Sequence, residues 1–337
     1  MHKAIISGIG TGGHYFPALV VALEFIKQRV QVIFLVRKGS PEQEIAAKYG
    51  ITTMAINPHG FFGKSLHAKI ESLISMLISI VILGSVTKRS VGMAFGGYGA
   101  IPLVISCIIN RCPFFLFEPN RVPGRATRLF SSRARAIFLG LGSNRKINGK
   151  AFITGIPVRR EFRQGAPVNK QADCKTVLIY GGSQGSRFLN QIAIDIQKVL
   201  PGNFQLRIVS GKRDYERIRA NVIGPTSVIP FTLNPWDEIN TSDIIVSRAG
   251  ALAGYEIAVS RKPVIFVPFP YAIDNHQYYN AQYFSTTTNA VLIEEKDMTA
   301  ARLVEEIQKF GSDISRFDRG LILNAETRIY EIVKELS

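Results

Sequence analysis

The stretch Lys3-Ala4-Ile5-Ile6-Ser7-Gly8-Ile9-Gly10-Thr11-Gly12-Gly13-His14 decides how the chain is read. Residues 3–8 read as a short buried strand, Gly8–Gly13 as a glycine loop, and Tyr15–Gln28 as a helix that tolerates Pro17 in its first turn. Strand, glycine loop and helix in this order open a parallel α/β unit. The order returns at Thr176–Tyr180 (strand), Gly181-Gly182-Ser183-Gln184-Gly185 (loop) and Asn190–Leu200 (helix). Between the two openings, further strands are expected at Val30–Val36, Thr52–Ile56, Val91–Phe95, Phe114–Phe117, Ala136–Leu139 and Ala151–Thr154. Helices are expected at Glu42–Lys48 and from about Pro102. After the second opening, strands are expected at Gln205–Ser210, Ser227–Pro230, Ile244–Val246 and Val264–Val267, and a closing helix at Leu321–Leu336. Residues 163–175 are polar and turn-rich, as a linker should be. The fold class that follows is α/β, with two doubly wound Rossmann-like domains facing each other across a cleft.

Charge divides the chain in the same place. Residues 1–160 hold 21 Lys and Arg against 5 acids (Glu24, Glu42, Glu44, Glu71, Glu118), whereas residues 161–337 hold 20 of each. The whole +16 excess therefore belongs to the first half, which should attract phosphates, nucleic acid or an acidic membrane surface. No RNP-type aromatic motif or zinc finger supports a nucleic-acid partner. Cys107, Cys112 and Cys174 form no CxxC and no Cys/His cluster, which excludes a disulfide scaffold and a zinc ribbon and points to a reduced, cytosolic location. The N-terminal apolar run is too short for a signal peptide, and no segment offers the ~20 clean apolar residues of a spanning helix.

Gly8-x-Gly10-x-x-Gly13 matches the dinucleotide fingerprint, because glycines let backbone N–H groups approach an anion at a helix N-terminus. The acid that would hold an NAD ribose is missing, since the next strand ends Val36-Arg37-Lys38. NADP stays open on this reading, with Arg37 on the 2′-phosphate. His14 follows the loop directly and is the only histidine of five at a glycine loop opening a helix, which makes it a candidate general base. Glu118, after the strand at Phe114–Phe117, is the rival base.

The run Gly10-Thr11-Gly12-Gly13-His14-x-x-Pro17-Ala18-Leu19 resembles the N-terminal signature of the MurG family of bacterial cell-wall glycosyltransferases. Further matches follow in the family's order: Phe95-Gly96-Gly97-Tyr98, Glu118-x-Asn120, Gly155-x-Pro157-Val158-Arg159 and Gly181-Gly182-Ser183-Gln184-Gly185-Ser186. Ser247-Arg248-Ala249-Gly250-Ala251-Leu252, Glu256-Ile257, Pro268-Phe269 and Asp274-Asn275-His276-Gln277-x-x-Asn280-Ala281 complete the series. The resemblance implies the GT-B architecture, with residues 1–160 on the acceptor and membrane side, 161–319 binding the UDP-sugar, and a helix in 320–337 packing back on the first domain. It implies transfer of N-acetylglucosamine from UDP-N-acetylglucosamine to undecaprenyl-pyrophosphoryl-muramoyl-pentapeptide in peptidoglycan biosynthesis, by direct displacement with inversion. A related transferase acting on another lipid acceptor, such as a diacylglycerol, is the alternative.

On this resemblance Glu256 holds the donor ribose, Gln277 and Asn280 meet the donor sugar, and Ala251 and Leu252 belong to the donor site. Asn120 and Thr11-Gly12-Gly13 lie where donor and acceptor meet. No Asp-x-Asp occurs in the chain, so neither metal nor cofactor is expected. Backbone amides, Ser183, Arg159 and Arg248 are left to stabilise the leaving diphosphate. The chain departs from the family at Phe117 and Pro119, where His and Gln are common, and at Ile156, where Asn is common. These changes remove polar groups near the expected cleft.

Residues 73–83 form the most apolar run, with Ser72, Ser75 and Ser79 on one narrow helical stripe. Phe61-Phe62, Lys64 and Lys69 lie upstream and Lys88-Arg89 downstream. An apolar patch edged by cations suits a peripheral contact with the anionic cytoplasmic face of the cell membrane, and a buried core helix is the competing reading.

Overall fold

All strand pairings among the described residues are parallel, as expected of buried, Val/Ile/Leu-rich strands with no alternation. The computed structural model describes residues 1–58, 65–163, 174–182, 184–312 and 320–337. They form two units, Met1–Arg159 with Ile322–Ser337, and Arg160–Leu321.

The first unit carries β1 (Lys3–Ser7), β2 (Gln31–Arg37), β3 (Thr53–Ile56), β4 (Val91–Ala94), β5 (Phe114–Glu118), β6 (Ala136–Leu139) and β7 (Ala151–Ile153) in the order β3-β2-β1-β4-β5-β6-β7. Its helices are α1 (Gly12–Lys27), α2 (Pro41–Lys48), α3 (Leu66–Val86), α4 (Ile101–Ile109) and α5 (Arg125–Phe130). The second unit carries β8 (Lys175–Tyr180), β9 (Phe204–Val209), β10 (Thr226–Ile229), β11 (Ile244–Ser247), β12 (Val264–Phe266) and β13 (Ala290–Leu292) in the order β10-β9-β8-β11-β12-β13. Its helices are α6 (Arg187–Ile196), α7 (Tyr215–Arg219), α8 (Pro235–Asn240), α9 (Ala251–Val259), α10 (His276–Thr287) and α11 (Ala300–Ser312). The last helix, α12 (Ala325–Leu336), returns to the first unit, where Tyr330 meets Phe25 of α1 edge-on at 5.2 Å and Ile329 and Val333 are buried.

In each sheet the strand order reverses once, between β1 and β4 and between β8 and β11. Ligands of doubly wound sheets bind at such a switch point, outside the strands' carboxyl ends. Both glycine loops therefore stand where the fold places ligands. The helices after them start earlier than the apolar pattern suggested. Thr11 is extended (φ −95°, ψ 171°) and the chain turns helical at Gly12, while the Ser186 hydroxyl accepts from Leu189 N at 3.3 Å and starts α6. Most of the expected linker, 164–173, lies outside the described residues.

Helix α3 corrects the reading of the apolar run. It is 21 residues long, about 32 Å at 1.5 Å per residue, and its stretch His67–Val86 is long and apolar enough by length and composition to cross a membrane. The serines that broke up the sequence pattern do not break the helix. Ser72 and Ser79 donate to the carbonyls of Ala68 and Ser75, each at 2.7 Å, which satisfies their hydroxyls within the helix. The helix is also turned inside out. Ser72, Met76, Ser79 and Leu83 face the unit, where α3 packs on α4, while Leu73, Ile74, Leu77, Ile78 and Val81 face outward, Val81 being 77% exposed. The core-helix reading is thus excluded for the apolar face. Asn110 pins the helix end by donating to Gly84 O (2.9 Å) and Thr87 Oγ1 (2.6 Å).

Candidate active site

In the first unit the loop after β1 and the loop after β4 close on one imidazole. A Cβ at Gly10 would lie 2.6 Å from His14 Nδ1, and one at Gly96 would lie 3.1 Å from His14 Cδ2. Gly96 also has φ +74°, a conformation side-chain-bearing residues rarely adopt. The glycines of both motifs therefore make room for the His14 ring. Ser7 Oγ donates to Gly99 O at 3.0 Å and ties the two loops together. His14 Nδ1 stands 3.4 Å from both Thr11 N and Thr11 Oγ1. It is the accepting nitrogen of the neutral ring and is only weakly engaged. Burial lowers the ring's pKa from 6.5 to about 4, below the near-neutral value its residue type suggested. The group is neutral at physiological pH.

Glu118 occupies a different setting. Its carboxylate is buried and accepts from Asn120 N (3.1 Å), Asn120 Nδ2 (3.2 Å), Gly124 N (2.7 Å) and Thr127 Oγ1 (2.8 Å). Burial raises its pKa, and the four donors act in the opposite direction. The carboxylate folds the 118–124 loop around itself and positions Asn120. The departures from the family pattern also turn out to be internal. Phe117 is 1% exposed and packs on Phe95 at 5.0 Å, Ile156 is fully buried beneath Gly140, and Pro119 is buried. They exchange core packing, not groups at an open surface. Arg159 lies half-buried with its guanidinium 4.0 Å from the centre of the Phe16 ring, a stacking partner the sequence reading did not name. Phe16 shares the first turn of α1 with His14, which is the only signal for it.

In the second unit Arg248 ends β11 and is tied on several sides. It is 12% exposed and ion-paired to Glu295, its Nε donates to Ser186 Oγ (3.0 Å), and its Nη1 donates to Val267 O (3.0 Å). Burial lowers its pKa and Glu295 raises it. The guanidinium thus joins the N-cap of α6 and the starts of the loops after β11 and β12 into one frame. Asn280 is fully buried and donates to Ala249 O at 3.1 Å, so it supports the same turn. Ala251 and Leu252 form the buried first turn of α9, and Glu256 lies one turn further on, 4% exposed. Gln277 is half-buried and its Oε1 accepts from Phe269 N at 3.0 Å, at the end of a loop where Asp274 and Asn275 both have φ +53°. Ser183 lies outside the described residues. The structure therefore gathers Thr11–Gly13, His14 and the Gly96–Gly97 loop at one switch point, and Arg248, Ala251 and Leu252 at the other. Glu295 and Ser186, which fix Arg248, were not singled out as site residues. Ser186 did stand in a quoted motif, whereas Glu295 had no local signal. No group of His, Cys, Asp and Glu able to hold a metal occurs among the described residues.

Two Rossmann-like units in one chain, each with a glycine loop at its switch point, define the GT-B class of glycosyltransferases. The chain belongs to glycosyltransferase family 28: residues 4–139 match the family's N-terminal domain and residues 176–335 its C-terminal domain. Among curated relatives, an Aquifex aeolicus protein is 28% identical, with 97% of this chain and 98% of the relative covered. One from Syntrophus aciditrophicus is 31% identical, covering 92% and 90%. Both are named UDP-N-acetylglucosamine–N-acetylmuramyl-(pentapeptide) pyrophosphoryl-undecaprenol N-acetylglucosamine transferase. The crystal structure of Acinetobacter baumannii MurG superposes with a TM-score of 0.74 at 23% identity, covering 99% of this chain and all of that one. The calicheamicin glycosyltransferase CalG4 superposes at 0.70 with 10% identity, which shows how far the fold outlives sequence.

Proposed function

We propose that this chain transfers N-acetylglucosamine from UDP-N-acetylglucosamine to undecaprenyl-pyrophosphoryl-muramoyl-pentapeptide. The observation that carries the reading is the pair of switch-point loops combined with relatives of that name over nearly the full chain. The burial of Phe117 and Ile156 speaks against a changed acceptor, because neither substitution alters an exposed group.

In the second unit, amides of the 181–185 loop and of the first turn of α9 receive the diphosphate at helix N-termini, and Glu256 accepts from the ribose hydroxyls. Arg248, already paired with Glu295, acts as a positioning residue that holds Ser186 and the 267–268 carbonyls. Asn280 supports it from below, and Gln277 holds the Phe269 loop next to the sugar. In the first unit His14, neutral and lightly held at Nδ1, takes the proton of the attacking acceptor hydroxyl. Asn120 is aimed by Glu118. Arg159, with its permanent charge, offsets charge developing on the leaving diphosphate. The attack breaks the bond between the anomeric carbon and the phosphate oxygen from the opposite face, so the configuration inverts.

The outward face of α3 rests on lipid at the cytoplasmic side of the cell membrane, where the acceptor's polyprenyl chain is anchored. Each large side chain moved from water into acyl chains contributes on the order of 1 kcal/mol, and Lys69, Lys88 and Arg89 flank the face for anionic headgroups.

Incubation with both substrates tests the reading. Mass spectrometry should show the lipid acceptor gaining one N-acetylhexosamine with release of UDP. Transfer to diacylglycerol alone, or UDP release without a sugar-bearing lipid, would contradict it. Glu256→Ala should weaken donor binding about tenfold through the loss of a charge-assisted hydrogen bond, and unchanged donor affinity would remove Glu256 from the donor site.

A further inference from the structure

Arg37 and Lys38 end β2 where a dinucleotide fold carries an acid, and no step above uses them. Beside Arg37 lies a small recess, partly open to solvent, lined by Gly8, Gly10, Arg37, Ser40 and Glu42 among others. Ser40 precedes α2 and is only 9% exposed, yet its hydroxyl has no protein partner. A serine in this place ordinarily accepts from an amide of the first helical turn, and here it does not. It lines the recess as a buried donor without an acceptor. Arg37, which lines the recess, donates from Nη2 to Tyr98 Oη at 2.8 Å, so the guanidinium is held by the segment after β4. Gly10 is a shared wall, with the recess on one side and the His14 ring against its α-carbon.

The chemistry of the lining selects the ligand. Arg37 and Ser40 offer hydrogen-bond donors and one positive charge, while Glu42 brings a negative charge and an acceptor. A dianionic phosphate would meet the Glu42 carboxylate with a second negative charge that Arg37 alone does not offset, whereas a single carboxylate next to an N–H group matches one guanidinium and one acceptor. We propose that this recess is a subsite for a carboxylate of the acceptor's peptide, held by Arg37 and Ser40 next to the loop that carries His14. The proposal rests on the acceptor reading above, which supplies the peptide.

The full chain is titrated calorimetrically with a soluble muramoyl-pentapeptide bearing free carboxylates, with the same compound amidated, and with inorganic phosphate. None of these titrations requires sugar transfer. Amidation should weaken binding to the unaltered protein about tenfold, as expected for loss of a charge-assisted hydrogen bond, and should have no effect on Arg37→Gln. Ser40→Ala, which removes one oxygen and leaves the backbone alone, should reduce the discrimination about threefold and serves if Arg37→Gln does not fold. Equal binding of the free and amidated compounds by the unaltered protein overturns the proposal. So does phosphate competing as well as the peptide. A chain that discriminates the carboxylate yet transfers no sugar contradicts the transferase reading and upholds the subsite. A chain that transfers sugar to both compounds with equal KM does the reverse.

Discussion

At the residue scale, the His14 environment makes two separable predictions. As the base, His14 contributes to turnover and not to donor affinity. His14→Ala should lower kcat about 10²–10⁴-fold and leave the Kd for UDP-N-acetylglucosamine unchanged by calorimetry, while loss of donor affinity in step with turnover would contradict the role. The second prediction concerns stability. The imidazole titrates near 4 in the folded chain and near 6.5 when unfolded, so only the unfolded state takes up the proton between those values. The group is without effect on stability above about pH 6.5 and subtracts increasingly as pH falls, by up to about 3 kcal/mol near pH 4. His14→Gln should flatten the fall in Tm between about pH 7.5 and about pH 4.5, and an identical fall in both proteins would show that the ring is not held neutral. Glu118 behaves as a scaffold by comparison. Glu118→Gln faces four donors with an amide that supplies two more, and should cost about 1–3 kcal/mol in denaturant unfolding.

At the element scale, the glycine loops and the strands other than the short β13 were readable because their signals are local. Uninterrupted Val/Ile/Leu runs specify buried parallel strands, and glycine after a strand specifies close approach. The partners of the site residues were not readable, since they come from distant chain: Arg37 with Tyr98, Asn280 with Ala249, Arg248 with Glu295. Helix α3 was legible as an apolar patch for a membrane contact, but its full length and the direction of its serine stripe were not, because hydrophobic periodicity takes water to be the outer solvent. Here the serines satisfy themselves on their own backbone and can be buried, which leaves the apolar side outward. The two faces should respond in opposite ways to substitution. Leu77→Asp with Val81→Asp should leave Tm within about 2 °C, as surface changes do, and abolish flotation with anionic vesicles. Ser79→Leu should overpack the α4 side and lower stability by about 1–3 kcal/mol. Retained vesicle binding by the first variant would contradict the lipid-facing assignment.

At the scale of the whole molecule, one chain carries two copies of the same architecture with different electrostatics. The second copy is nearly charge-balanced and holds its arginine at the switch point in an ion pair. The first carries nearly all of the positive excess, an outward apolar helix and a histidine in a glycine cradle. Such a division suits a soluble nucleotide-sugar on the one and a lipid-borne acceptor on the other. The repeated opening and the charge boundary near residue 160 made this organisation legible before any coordinates. The return of α12 to the first unit was implied by the family resemblance alone, since the residues by themselves read only as a closing helix and its partners on α1 lie at the opposite end of the chain.

Amide hydrogen exchange across the whole chain, with and without UDP-N-acetylglucosamine, tests this division most directly. Protection centred on the second unit, at residues near 181–186, 248–256 and 268–280, with residues 8–10 exchanging as in the free protein, is the predicted result. Protection centred on residues 8–14, with the loop after β8 unaffected, would contradict it.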